Sequence, residues 1–297
     1  MEYVLKTTGL TKKYGMRNVV DHVNMNIKKG EIYGFIGRNG AGKTTLMRMI
    51  LGLAKPTEGS FELFEGLEGA EAGRKMGSLI ENPCLYDGVT AFENMKRFAI
   101  LNDVPDEEIN AILQYVGLGE VGKKKVKQFS LGMKQRLGIA IAMLGNPEFL
   151  VLDEPVNGLD PAGMKEIREL IIRLNKEKGI TVLISSHLLE ELSKLVTMYG
   201  IINNGQLIEE ISAEDLETKC QRKLLIEVDD EKRAREIIKT NYNDIPIKEE
   251  ENTLIVTGLI EESGKVNKLL VENGIEVKRL EYLSESLENY FMKRIGE

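Results

Sequence analysis

The chain has 297 residues, of which 42% are hydrophobic and 29% charged, and its formal net charge is −7 at pH 7. That length suits about two domains, each with its own core, and that composition excludes wholesale disorder. A net negative charge is the opposite of the basic balance typical of chains that mainly grip nucleic acid.

The two cysteines, Cys84 and Cys220, are too few and too far apart for a disulfide framework, which favours a reducing compartment. Residues 1–9 lack the basic start and long apolar run of a signal peptide. No stretch approaches the about 18 consecutive apolar residues that a membrane span needs. We therefore expect a soluble, cytoplasmic protein whose role at a membrane would depend on a partner.

The first predicted elements are a strand, a glycine-rich loop and a helix. Apolar residues at even spacing over 19–27 predict a half-buried strand, and "EIYGFI" at 31–36 predicts another. The loop "GRNGAGKT" at 37–44 then fits G-x-x-x-x-G-K-[ST], between a strand and a helical pattern. Its glycines let the backbone wrap a phosphate chain, Lys43 reaches the terminal phosphates, and Thr44 can ligate Mg²⁺. The loop therefore predicts that the chain binds a nucleoside triphosphate.

Helices dominate the following segment, 85–145. After a strand predicted at 77–80, one helix begins at Thr90, where Thr90 and Glu93 form a capping box. Another begins near Asp106 and carries apolar residues at helical spacing. We predict a helical insertion between two strands.

Two short motifs leave alternatives open. Ser130 and Gly132 begin the helical segment "FSLGMKQR", where a serine is either an ordinary helix cap or part of an anion-binding site. His187 follows a predicted strand in "SSH", where a histidine is either structural or a donor to a phosphate.

The segment "EFLVLDEP" predicts a strand buried on both faces. It delivers Asp153 and Glu154 at its carboxyl end, where α/β sheets place ligands. Asp153 would hold Mg²⁺, and Glu154 would orient or deprotonate an attacking water. Further on, a helix begins at Asp160, and a strand and a hairpin turned at Asn204-Gly205 follow. Strands that alternate with helices predict a mainly parallel sheet.

The last part of the chain changes character. Charged segments such as "KLLIEV", "EKRAREIIKT" and "NTLIVTG" repeat a strand-helix-strand theme. We predict a small α+β accessory domain at 216–297, after a first domain at 1–215.

Five segments carry a resemblance to a known family. In chain order they are "GRNGAGKT", "FSLGMKQR", "LVLDEP", "GLD" and "SSH". They resemble the Walker A loop, signature motif, Walker B strand, D-loop and switch histidine of the ATP-binding cassette (ABC) ATPases. The resemblance covers about residues 1–210. It implies an α/β P-loop NTPase cassette with a mixed sheet, an antiparallel N-terminal β part and the helical insertion.

The resemblance also implies a role for each matching residue. Two cassettes would pack head to tail, and the signature helix of one would close on the nucleotide bound by the other. Glu154 and His187 would carry hydrolysis, while Thr44, Glu81 and Asp153 would bind Mg²⁺. Tyr14 in "KKYG" resembles the aromatic residue that stacks on adenine, and a tyrosine in a turn is the alternative. The residues implied to bind ATP are Tyr14, Gly37, Arg38, Asn39, Gly40, Ala41, Gly42, Lys43, Thr44, Thr45, Ser130, Gly132, Met133 and Asp160.

The chain departs from the family pattern in two motifs. The signature motif has Leu131 and Met133 where the family usually has a glycine and a glutamine, so the contact of the glutamine side chain is absent. Glu81 in "IENP" stands where the family offers a glutamine, and a glutamate cannot donate as an amide does. Both substitutions, and the ending "SLENYFMKRIG", are similar to the bacitracin-exporter-like branch of the family.

We therefore predict an ATP-hydrolysing, Mg²⁺-dependent subunit of an ABC transporter. It would pair with a second copy or a related cassette and drive a separate membrane permease from the cytoplasmic face of the cell membrane, exporting an antibiotic, peptide or lipid-like compound. An ABC ATPase that acts on nucleic acid or ribosomes is the alternative, which the acidic charge and the single cassette disfavour. A regulator that holds ATP without turnover is disfavoured by Glu154, since it would need no base there.

Overall fold

The structure is a computed structural model, which describes residues 2–67, 69–220, 223–242, 245–250, 253–283 and 286–295. It divides into two compact units, Met1–Ala213 and Glu214–Glu297. The boundary predicted from the sequence, between residues 215 and 216, lies two residues further along the chain.

Unit 1 begins with an antiparallel sheet. Its strands are β1 (Tyr3–Tyr14), β2 (Arg17–Val23), β3 (Asn26–Lys28) and β5 (Glu58–Leu63), and β1 pairs with each of the others. The strand predicted over 19–27 is interrupted: β2 ends at Val23 and β3 begins at Asn26, and between them the Asn24 side-chain oxygen accepts from the Gly9 amide at 2.8 Å. The two strands share one alternation in burial and both pair antiparallel with β1, and the sequence pattern alone does not show the break between them.

The central sheet of unit 1 positions the candidate site. Its strands are β4 (Ile32–Ile36), β6 (Met76–Leu79), β7 (Phe149–Asp153), β8 (Thr181–Ser186), β9 (Met198–Asn203) and β10 (Gln206–Ser212). Their order is β10-β9-β4-β8-β7-β6, in which β10 is antiparallel to β9 and the other pairs are parallel. The hairpin between β9 and β10 turns at Asn204 and Gly205, both with positive φ, as predicted. Since β4, β7 and β8 are parallel neighbours, their carboxyl ends lie at one edge.

Helices surround this sheet. In unit 1 they are α1 (Lys43–Ile50), α2 (Gly69–Arg74), α3 (Ala91–Ala99), α4 (Asp106–Tyr115), α5 (Leu131–Ala142), α6 (Pro161–Lys178) and α7 (Leu189–Leu192). The predicted insertion is present, because α3, α4 and α5 all lie between β6 and β7 along the chain. The capping box of α3 is also confirmed, since Thr90 Oγ1 accepts from the Glu93 amide and the Glu93 side chain accepts from the Thr90 amide. These features confirm the predicted fold class.

Unit 2 contains a second antiparallel sheet. Its elements are β11 (Lys223–Val228), α9 (Glu231–Asn241), β12 (Ile247–Glu250), β13 (Thr253–Thr257), α10 (Ser263–Glu272) and β14 (Val277–Leu283), flanked by α8 (Ala213–Cys220) and α11 (Leu287–Arg294). The strand order β12-β13-β11-β14 gives the β-α-β-β-α-β arrangement of ferredoxin-like domains. The predicted strand "NTLIVTG" corresponds to β13, and Asn252 at its start lies outside the described residues.

Candidate nucleotide-binding and hydrolysis site

The loop at 37–44 leads from β4 into α1 and folds closely against its neighbours. A Cβ atom at Gly37 would lie 2.5 Å from the carbonyl oxygen of Ile202, and one at Gly42, whose φ is +111°, would lie 2.5 Å from that of Val19. Only glycine fits such approaches. Lys43 is buried, and its Nζ donates to the carbonyl oxygens of Gly37 at 2.6 Å and Arg38 at 3.2 Å. The loop thus brings a cation and free helix-start amides to one place, which is a site for an anion.

A cavity of about 170 Å³ opens at this loop. The residues that line it are Val19, Asn39, Gly40, Gly42, Lys43, Thr44, Thr45 and Glu154. Sequence reasoning missed Val19, which has no chemical signal of its own and reaches the cavity from β2. Ala41 instead holds the loop in shape, because its amide donates to the Arg38 carbonyl and its carbonyl accepts from the Gly205 amide at 3.0 Å.

A second group of side chains meets where α1 approaches the ends of β7 and β8. The Thr44 hydroxyl donates to Asp153 Oδ2 at 2.7 Å, and the Ser185 hydroxyl donates to Asp153 Oδ1 at 2.5 Å. Asp153 and Ser185 are both buried. Hydroxyl and carboxylate oxygens are the ligands that Mg²⁺ prefers, so Thr44 and Asp153 fit a magnesium ion. Sequence reasoning missed Ser185, which only the pairing of Asp153 with Ser185 between β7 and β8 reveals.

Glu154 has an unusual backbone conformation, with φ at +50°. Side chains other than glycine reach this region at a cost of about 1 kcal/mol or more. Its amide donates to Ser185 Oγ at 2.9 Å, and its Oε2 lies 2.7 Å from His187 Nδ1. Its Oε1 lies 3.4 Å from Lys43 Nζ as an ion pair but, within the described chain, is buried without a hydrogen-bond partner. The structure therefore brings Lys43, Glu154 and His187 together, with one carboxylate oxygen left able to accept.

The signature motif and the D-loop form a separate group. Ser130 caps α5, and its Oγ accepts from the Met133 amide at 3.3 Å. Asp160 caps α6 and accepts from the Gly163 amide at 3.0 Å. A Cβ at Gly132 would contact only the Leu159 side chain at 3.8 Å and Gly163 at 4.0 Å, so the starts of these two helices are neighbours.

Tyr14 and Glu81 are two of the predicted site residues that do not line the cavity. Tyr14 is at the end of β1, half exposed, with Lys12 Nζ 5.1 Å from its ring centroid. Glu81 pairs with Arg48 of α1 at 2.8 Å, and its side chain is 59% exposed. Adenine stacking by Tyr14 and metal binding by Glu81 therefore stay predictions, and the structure gives each residue another contact.

Together, a phosphate-binding loop, a hydroxyl–carboxylate pair and a carboxylate poised near both define a P-loop ATPase of cassette architecture.

Comparison with known proteins gives the particular family. A family model for the ABC transporter domain matches residues 20–157. The bacitracin transport ATP-binding protein BcrA of Bacillus licheniformis is 46% identical over 301 residues, which cover 100% of this chain and 98% of that protein. The lantibiotic transport ATP-binding protein SrtF of Streptococcus pyogenes is 47% identical over 228 residues, or 75% of this chain and 99% of that protein.

Solved structures agree with this assignment. The ATP-binding cassette MJ0796, in a dimeric post-hydrolysis state bound to ADP and Pi, is 29% identical with a TM-score of 0.62 and covers 70% of this chain and 98% of that one. The chain belongs to the family of ATP-binding proteins of ABC transporters, as predicted, and it is an ATPase. In the described part of the chain, every helix falls short of the length and apolar content that a membrane crossing requires.

Proposed function

We propose that the protein is the ATPase subunit of an exporter that moves an antibiotic, peptide or lipid-like compound through a separate membrane permease. Similarity to BcrA over the whole chain supports the antibiotic class. The substitutions at Glu81 and Met133 agree with the same branch. Such a subunit would sit at the cytoplasmic face of the cell membrane, held there by its permease.

The observation that carries the catalytic part of the proposal is the arrangement around Glu154. Its Oε1 is buried beside Lys43 and, in the described chain, has no hydrogen-bond partner. A water held there would face the terminal phosphate bound by Lys43 and the loop amides. Glu154 would accept a proton from that water. His187 would hold the other carboxylate oxygen through Nδ1 and donate to the phosphate through Nε2, with both ring nitrogens carrying a proton.

Magnesium would be held by Thr44 and Asp153 and would neutralise charge that develops on the phosphates. Ser185 keeps the Asp153 carboxylate in place, because it occupies the oxygen that does not contact Thr44. Glu81 pairs with Arg48 at an exposed position, so its proposed role as a metal ligand is tested by substitution of Glu81.

Two copies would enclose two ATP molecules. Ser130, Gly132 and Asp160 lie on helix starts that belong to a different group from the phosphate loop, which supports their acting on the nucleotide of a second copy. The dimeric state described for MJ0796 supports the same arrangement. Hydrolysis would remove the terminal phosphate and its contacts, so the dimer would reopen.

The segment after Glu81 would dock the permease. Tyr86 is 55% exposed, with Arg97 stacked at 5.1 Å from its ring centroid, and buried Asn94 fixes its backbone through bonds to both its amide and its carbonyl. A rigid, exposed aromatic side chain suits a protein interface. If Leu85 and Tyr86 can both be made charged without loss of transport coupling, this part of the proposal is wrong.

The test of the proposal is Glu154→Gln. We expect turnover to fall at least about 100-fold while ATP-bound dimers persist. Glu191→Gln is the matched control, because Glu191 is a half-buried, ion-paired carboxylate on α7 that contacts Arg168 and Lys194 instead. Purification from gently solubilised membranes should recover a multi-span protein. Recovery with ribosomes or nucleic acid, or wild-type turnover in Glu154→Gln, would contradict the proposal.

A further inference from the structure

The sheet of unit 2 has two different faces. On one face, alternate strand residues such as Leu224, Ile226 and Val256 are buried against α9 and α10, where they meet Ala234 and Val266. The side chains between them point to the opposite side, which we call the outer face. Its central residues Leu225 and Ile255 are half-buried.

The strand register places four residues in one row across the outer face. Lys248 on β12 pairs with Ile255 on β13, Ile255 pairs with Leu225 on β11, and Leu225 pairs with Glu281 on β14. Directly paired residues share a face. The row therefore runs from a cation at one edge, through two apolar residues, to an anion at the other edge.

Contacts of the neighbouring residues confirm which way this row faces. Glu249, next to Lys248, pairs with Arg235 of α9 at 2.7 Å. Tyr282, next to Glu281, shares a hydrogen bond with Ser263 of α10 at 2.8 Å. Since these neighbours point to the helices, Lys248 and Glu281 point to the outer face, where Glu281 also pairs with Arg279 of its own strand.

Such a row is complementary to itself under two-fold symmetry. Consider a second copy laid face to face, with the axis along the strands between β11 and β13. The rotation keeps the row at the same height and reverses its direction, so Lys248 lies over the partner's Glu281 and Ile255 lies over the partner's Leu225. Packed sheets are about 10 Å apart, a gap that a lysine and a glutamate span together.

We propose that the outer face of unit 2 is a contact between two copies of this chain, made by the row Lys248, Ile255, Leu225 and Glu281. This inference rests on the proposed function, because the ATP-bound dimer brings the two copies together. The partner is a second copy because the charge pattern matches its own reverse, a property that an unrelated surface would share only by coincidence.

The size of the face defines what the contact does. Four strands of this length present roughly 300–400 Å² per copy, less than the about 800 Å² per partner of a stable interface. The contact is therefore too small to hold two copies alone. Once ATP has joined the two cassettes, the contact between the outer faces acts at a high effective concentration and slows the separation of the two copies.

Charge reversal tests the contact in the full chain carrying Glu154→Gln, with ATP and Mg²⁺ present. Lys248→Glu and Glu281→Lys should each raise the dimer dissociation constant about tenfold, because each creates two like-charge pairs. The double variant should return to within about twofold of the parent. An equimolar mixture of the two single variants should form heterodimers, in which both pairs are again opposite in charge.

The recovery of dimerisation in the double variant cannot come from an ion pair between residues 248 and 281 of the same chain. Lys248 and Glu281 lie on the two edge strands, three strand spacings or about 14 Å apart. Lys268→Glu is the matched control, since Lys268 is 74% exposed on α10, and it should leave the dissociation constant unchanged. Sedimentation velocity measures all five proteins.

Several results would overturn the inference. They are unchanged dimerisation of the single variants, a double variant as weak as the singles, or an equal effect of Lys268→Glu. If the parent forms no ATP-dependent dimer, the proposed function fails instead. Cross-linking then still tests the contact: with Cys84 and Cys220 replaced by serine, Lys248→Cys mixed with Glu281→Cys at high concentration should cross-link, and either alone should not. No cross-link in the mixture contradicts the inference.

Discussion

Ser185 contacts both acidic residues of the candidate hydrolysis site and has no chemical role of its own in the proposed reaction. Its hydroxyl donates to Asp153 Oδ1 at 2.5 Å and accepts from the Glu154 amide at 2.9 Å. Ser185→Ala would leave a buried carboxylate oxygen and a partly buried amide without these partners. Each loss costs about 1–3 kcal/mol, so we expect the free energy of unfolding to fall by about 2–6 kcal/mol.

Turnover should fall as well, because both acidic residues lose the bond that fixes them. A barrier increase of about 1.4–3 kcal/mol corresponds to a 10- to 150-fold decrease in kcat, with a smaller change in KM for ATP because the loop amides are untouched. Urea denaturation measures the first quantity and steady-state ATP hydrolysis the second. Thr181→Val is the control, since Thr181 is a buried hydroxyl at the other end of β8 that accepts from the Gly30 amide. It should lower stability and keep kcat. Wild-type kcat in Ser185→Ala would refute the positioning argument.

Three further predictions concern the loop, a helix cap and a buried carboxyl. Gly37→Ala should abolish ATP binding, measured with a fluorescent ATP analogue, because its Cβ would lie 2.5 Å from the Ile202 carbonyl, whereas Gly73→Ala has open space around it and should bind normally. Thr90→Ala should cost about 1 kcal/mol of stability by removing the cap of α3; no change in the urea midpoint would contradict this. Burial raises the pKa of the Glu210 carboxyl above 4.5, and the negative charge of Glu31 adds to this rise. The hydrogen bonds that Glu210 accepts from the Tyr33 hydroxyl and the Asn26 amide, and the charge of Lys28, oppose it. The free energy of unfolding of the protein, minus that of the Glu210→Gln variant, should therefore be greatest below pH 4.5 and decline as pH rises through the raised pKa. A difference that stays constant between pH 4 and 7 would contradict this prediction.

The sequence predicted those parts of the site whose chemistry is local. The phosphate loop needs closely spaced glycines, a lysine and a threonine, so the segment "GRNGAGKT" predicts it. Asp153 and Glu154 end a run of buried apolar residues, which marks a strand end. Ser185 and Val19 could not be predicted in this way, because their place in the site depends on which elements lie beside their strands, β8 and β2. Strand β1 was missed for a related reason: its pairing with three other strands, not its own pattern, makes it the centre of its sheet.

The same distinction applies to unit 2. Its α+β character follows from composition and periodicity, but the row across its outer face exists only in the register. Lys248 and Glu281 are 33 positions apart and look like any two surface charges in the sequence. Only the strand order, which places their strands at opposite edges, makes the row reversible; Glu281 also pairs with Arg279 on its own strand.

The arrangement around Lys43 also explains why Glu154 tolerates a strained backbone. Lys43 is buried, and a buried ammonium group needs acceptors and a counter-charge. The Gly37 and Arg38 carbonyls supply the acceptors, and Glu154 Oε1 at 3.4 Å supplies the charge. Phosphate oxygens would compete for the same ammonium group because they carry more charge than a carbonyl. Binding of the triphosphate would then weaken the attraction between Lys43 and Glu154, and Oε1 would accept a hydrogen bond from water more readily. With the left-handed conformation at Glu154, one carboxylate lies between Lys43 and His187, so we expect a relaxed backbone there to move the proposed base away from His187.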